Sequence, residues 1–168
     1  MELKKFLVKA KNSTYATTGE SEEIILEDGS KELTYKEKDF YYRDRYLGHN
    51  PFVGEEIVWK DKKIIWAMNY YGKVINKELS TKEIYSFLKD VLKKVTEDLP
   101  FRGPKKFEKN FFRYINHLEG DISNFFGKEE IYYKDKLIYF LHYHGGFIKS
   151  KETQPGSSKQ PKDLNSRF

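Results

Sequence analysis

A carboxylate set into a row of aromatic side chains is the feature of this sequence that most suggests chemistry. In "KDFYYRDRYLG", strand alternation places Phe40, Tyr42, Asp44 and Tyr46 on one face and Tyr41, Arg43 and Arg45 on the other. Rings around an anion suit a flat ligand that carries an amino or cationic group. The plainer reading pairs Asp44 with a neighbouring arginine and leaves the tyrosines as half-buried packing. A second pattern lies near the end of the chain. His142 and His144, at i and i+2, share a strand face and could hold a metal or pass a proton. They have no third ligand close in sequence and the chain has no cysteine, so no metal is expected. In "PFRGPKKF", prolines flank Arg102 and Gly103, a rigid loop suited to bidentate contact with phosphate or carboxylate, or tied to a backbone carbonyl. "NSTYATTGES" puts Tyr15 among small and hydroxyl residues after a helix, as a lid, a pocket wall or a plain loop.

The elements that must position these residues can be read from periodicity. Leu3, Phe6, Leu7 and Ala10 mark one face of a short helix. A longer helix opens at Ser80, with Glu83 completing a capping box, and carries the stripe Ile84, Phe87, Leu88, Val91, Leu92 and Val95 before Pro100 stops it. The runs "KDFYYRDRYLG" and "NFFRYINHLEG" both read as strands, with Phe40 matching Phe112, Tyr42 matching Tyr114 and Gly48 matching Gly120. "EEIVWKDKKII" from Glu55 and "EEIYYKDKLIY" from Glu129 then say nearly the same thing 74 positions apart, each a hairpin about a Lys-Asp-Lys turn. On that offset Ile64, Trp66, Met68 and Tyr70 correspond to Ile138, Phe140, His142 and His144. The segment between first helix and first strand holds "IIL" and "ELTY" around Asp28-Gly29, room for a further hairpin.

These patterns predict an α+β fold of two helix-plus-antiparallel-sheet units related by internal duplication, with a cleft between them. The expected organisation is one domain over residues 1–148, with pseudo-repeats of about 1–76 and 77–148, and a flexible polar, basic tail over 149–168. The tail carries +3 of the net +5, so the body is close to neutral, which argues against a nucleic-acid partner. Of 168 residues 38% are apolar and 17% aromatic, enough for a core with tyrosines to spare for a pocket. No run of about 18 apolar residues suggests a membrane span, and the charged N-terminus does not read as a signal peptide. The expected location is cytoplasmic.

The strings "KAKNSTYA", "YRDRYLGHNPFVGEEIVW", "IIWAMNYYG", "PFRGP" and "YHGG" resemble the bacterial DUF5680 domain family, over nearly the whole chain to about Ile148. Members of that family occur alone or joined to a helix-turn-helix domain, so the resemblance implies an effector or sensor module with no established ligand to carry over. No helix-turn-helix signal is present here, which weighs against a DNA-directed role. A looser likeness, of architecture alone, is to gyrase-inhibitor-like effector-binding domains.

Three functions follow, in this order. The first is a non-catalytic small-molecule binder for a nucleotide-like or planar cationic ligand. Its candidate residues are Tyr15, Tyr42, Arg43, Asp44, Arg45, Tyr46, Trp66, Asn69, Tyr70, Arg102, His142 and His144. Arg43 and Arg45 fall on the face opposite Asp44, a weakness of that set. The second is a protein-interaction module using the aromatic surface. The third is a hydrolase using Asp44 or Glu56 with His142 or His144, for which the chain offers no specific catalytic motif. Neither a cofactor nor a metal is expected, and a homodimer is left open.

Overall fold

A computed structural model describes residues 2–14, 23–75 and 78–149. Tyr15 and the expected tail beyond Lys149 lie outside them. The chain runs α1 (Leu3–Ser13), β1 (Ile24–Ile25), β2 (Lys31–Glu37), β3 (Phe40–Gly48), β4 (Phe52–Lys60) and β5 (Lys63–Val74). It continues with α2 (Thr81–Leu92), β6 (Lys106–Lys109), β7 (Phe112–Asp121), β8 (Asn124–Tyr133) and β9 (Lys136–Phe147). The nine strands form one sheet in the order β1-β2-β3-β4-β5-β9-β8-β7-β6, antiparallel throughout, so the fold is α+β. Among the described residues no helix is long and apolar enough to cross a membrane.

Each element follows from local signals. Ser80 accepts from the Glu83 backbone while the Glu83 carboxylate accepts from the Ser80 backbone, the reciprocal box that starts α2. Its stripe Ile84, Phe87, Leu88, Val91 and Leu92 is buried. In α1 the buried face is Phe6, Leu7, Ala10 and, less expectedly, Lys11. The hairpin around Asp28-Gly29 is present as β1–β2. β6 went unforeseen because its four residues, Lys-Phe-Glu-Lys, are mostly charged and exposed; pairing with β7 places them.

Both helices cover one face of the sheet, and they share one hydrophobic core. Phe6 of α1 packs on Tyr35 and Phe40, while Phe87 of α2 stacks on Phe112 at 4.8 Å. The two halves of the sheet join edge to edge, β5 against β9.

The register corrects the sequence alignment of the two hairpins. Each tight turn has both central residues in the left-handed region, Asp61 and Lys62 in one, Lys134 and Asp135 in the other. Val58 faces Trp66 across the first hairpin and Ile131 faces Tyr139 across the second. Like positions are therefore 73 residues apart, not 74. Since side chains alternate, one residue of slip moves every one to the opposite face. Trp66, Met68 and Tyr70 occupy places like those of Tyr139, Leu141 and Tyr143, all buried, whereas His142 and His144 are exposed on the outer face.

Candidate functional site

The covered face of the sheet buries polar groups as well as rings. Glu56 on β4 and Glu129 on β8 are both fully buried, at like places in their hairpins. A carboxylate there must be matched by donors, or burial would cost more than the fold can supply. Glu129 is matched fully. Arg102 donates to both its oxygens, at 2.8 and 3.1 Å, and the Tyr114 and Tyr139 hydroxyls donate at 2.8 and 2.9 Å. Burial, reinforced by the Glu129 charge, raises both phenols well above their ordinary range, so they stay protonated and donate to Glu129, while the Tyr114 hydroxyl also accepts from the Gly103 backbone N–H at 3.2 Å.

Glu56 is served more thinly. Lys11 of α1 makes a short ion pair with its Oε2, and among the described residues Oε1 has no hydrogen-bond partner. The cause is visible in the sequence: Trp66 stands where Tyr139 stands in the other half. Its indole turns instead to the Ile122 carbonyl at 3.2 Å and stacks on Phe125. Burial lowers the pKa of Lys11, opposed by the Glu56 charge.

Asp44 lies directly across from Glu56 in the β3–β4 ladder. Tyr70 reaches over β4 to donate to it at 2.6 Å. That path is open because residue 54 is glycine; a Cβ there would run into the Tyr70 hydroxyl. Tyr143 crosses Gly127 in the same way to donate to Asn116 at 2.8 Å. The arrangement is thus built twice with one change of charge, Asp44 against Asn116. Burial first, and then the Glu56 charge, raise the Asp44 carboxyl to about 7.

Above this floor is a hollow of about 180 Å³. Its buried lining is Asp44, Tyr70 and Arg102, with Leu33 of β2 and Leu88 and Leu92 of α2. Tyr46, Phe52 and Tyr85 supply further aromatic wall, and Glu23, Lys31, His49 and Lys89 stand around them. Tyr85 is held by the His49 carbonyl at 2.6 Å, and burial pushes its phenol up to about 12. Arg102 also lies over the Tyr70 ring, 5.8 Å from its centre.

A family model described as "Domain of unknown function (DUF5680)" matches residues 44–148. The chain belongs to that family. Neither a curated protein nor a solved structure matches it. The DUF5680 match begins at Asp44 and takes in Glu56, Tyr70, Arg102 and Glu129, while Lys11 precedes it.

Four of the expected residues therefore converge: Asp44, Tyr46, Tyr70 and Arg102 all line the hollow. Tyr42 and Trp66 are fully buried in the core and do not line it. Arg43 and Arg45 lie on the outer face, where Arg43 pairs with Glu55 at 2.6 Å and Arg45 with Asp28. Asn69 and His144 border a separate outer depression with Phe126, and His142 is exposed nearby. The pairing of Asp44 or Glu56 with His142 or His144 for hydrolysis fails on this geometry, because the sheet separates them. Among the described residues no cluster of three or more metal-ligating side chains occurs. Sequence reasoning missed Lys11, though it continues the apolar stripe one turn beyond Leu7, and missed Tyr85, which flanks Ile84 on α2.

Proposed function

We propose that the chain is a non-catalytic small-molecule-binding module whose ligand sits in the hollow over Asp44, Tyr70 and Arg102. One observation carries this reading: the hollow's buried polar lining is a carboxylate, a phenol and a guanidinium, each fixed from beneath before any ligand arrives. Tyr70 is held by Asp44, and Arg102 by both oxygens of Glu129. Such preorganisation lowers the ordering cost of binding. A cavity of about 150 Å³ is enough for a benzene ring, so 180 Å³ fits one flat ring. A nucleotide-like ligand would place its base here and leave sugar and phosphate outside, near Lys31 and Lys89.

The test is thermal unfolding against nucleosides, nucleotides and one-ring compounds, on the natural chain and on Leu92→Trp, which fills the hollow. A ligand at 100 times its dissociation constant stabilises by about 2.7 kcal/mol. The expected result is a shift that Leu92→Trp abolishes. A shift that survives Leu92→Trp, or none across the panel, contradicts the reading.

We also read the two halves as an internal duplication, with the hollow as the cleft on the first half. The matching turns, Gly-Tyr crossings and buried glutamates support this. A second function, protein interaction, draws support from the outer face, where Phe126 and Phe147 are more than half exposed.

A further inference from the structure

We propose that the hollow takes a one-ring organic monocation, its amine or amidine seated on the Asp44 carboxylate. This rests on the binding reading above and narrows it to a class of ligand. On the covered face the described residues bury three carboxylates, Asp44, Glu56 and Glu129, against two cations, Lys11 and Arg102. Glu129 takes Arg102 and Glu56 takes Lys11 in direct ion pairs, so among these three Asp44 is the carboxylate with no ion pair of its own and feels those two cations only from beyond contact. Its hydrogen bond from Tyr70 is made through Oδ1, and the side chain lines the hollow. A cationic group entering there completes the charge balance at an open position.

Comparison of the two halves shows that the fold does not require this charge. Asn116 holds the like place on β7 and accepts the Tyr143 hydroxyl as Asp44 accepts that of Tyr70. Asn116 also donates to the Gly103 carbonyl at 3.1 Å and is not part of the lining of this hollow. An amide therefore suffices for the crossing tyrosine. A carboxylate directly opposite Glu56 is, by contrast, a like-charge cross-strand pair and works against stability. The half that carries the charge is the half with the hollow.

The walls suit the same ligand. Tyr46, Phe52, Tyr70 and Tyr85 offer ring faces and edges to a flat cation. The cations in the lining are mostly engaged: Arg102 by Glu129, and Lys31 by Glu23 at 2.9 Å. The volume of about 180 Å³ suits a single ring.

The experiment is titration calorimetry at pH 8 and low salt with benzamidine and benzylamine, and with their neutral counterparts benzamide and benzyl alcohol. The natural chain, Asp44→Asn and Leu92→Trp are compared, with unfolding curves to confirm that each folds. The expected result is that both cations bind with dissociation constants of about 1 mM or tighter. Neutral counterparts should bind at least tenfold more weakly, and Asp44→Asn should weaken the cations at least tenfold. Neutral compounds binding as well as the cations, with loss in Leu92→Trp, would overturn the cation inference and leave the pocket standing. No binding by any of the four, or binding indifferent to Leu92→Trp, would overturn both. If Asp44→Asn does not fold, the comparison of cation with neutral on the natural chain still decides.

Discussion

At the scale of the residue, Asp44 carries the account. It faces Glu56 from β4, Tyr70 from β5, Lys11 from α1 and Arg102 from the loop after α2, with Glu23, Lys31, His49 and Lys89 around the hollow. Its folded-state pKa is raised to about 7 from an ordinary 3.8. Between those values the folded chain holds a proton that the unfolded chain has released. Stability from this group is therefore full below about pH 4 and lost as pH rises through 7. Asp44→Asn removes the loss, and should exceed the natural chain in stability by on the order of 2 kcal/mol at pH 8, with no advantage at pH 4. Urea unfolding at the two pH values measures this, and a variant less stable at pH 8 would contradict it. Glu129 predicts the opposite sign: Glu129→Gln leaves Arg102 buried without its anion and should cost about 3–5 kcal/mol. A cost under about 1 kcal/mol would show the network to be dispensable. Asp44 was legible in the sequence because a carboxylate in the middle of an aromatic strand asks for an explanation. Lys11 was not, because its partner Glu56 lies 45 residues away and only packing α1 on the sheet brings them together.

At the scale of the element, the two crossing tyrosines depend on two glycines. Gly54→Ala should push Tyr70 off Asp44 and cost about 1–3 kcal/mol, and Gly127→Ala should do the same to Tyr143. Urea midpoints test both. A neutral Gly54→Ala would mean that Tyr70 reaches Asp44 by another route. These positions also show where sequence reading stopped. The capping box of α2, the stripe that follows it and the first-strand match of Tyr42 with Tyr114 were all readable, because each is a local pattern. The hairpin alignment was not, because the letters Lys-Asp-Lys coincide at 74 while the ladder pairs like positions at 73. Hydrogen bonding sets register, and composition cannot see a slip of one. That slip sent His142 and His144 to the wrong face, and with them any acid–base role beside Asp44.

At the scale of the whole molecule, one sheet carries two similar halves and places a hollow on the first. Tyr85 of α2 packs against Phe52 of β4 and Tyr139 of β9, so the helix of the second half roofs strands of both. The α+β class was legible from element order, whereas the edge-to-edge joining of β5 with β9 was not, because no local pattern says which strands meet across the sheet. The measurement that tests the central claim most directly is a titration of ring-labelled tyrosine with benzamidine at pH 8, followed by carbon NMR. Twelve of the thirteen tyrosines lie among the described residues and report from both halves and both faces of the sheet. Tyr46, Tyr70 and Tyr85 line the hollow, Tyr114 and Tyr143 are buried in the second half, and Tyr71 is exposed outside. The account predicts that Tyr46, Tyr70 and Tyr85 shift together and saturably while the others stay fixed. Shifts led by Tyr71, or spread evenly over the rings, would contradict a site over Asp44.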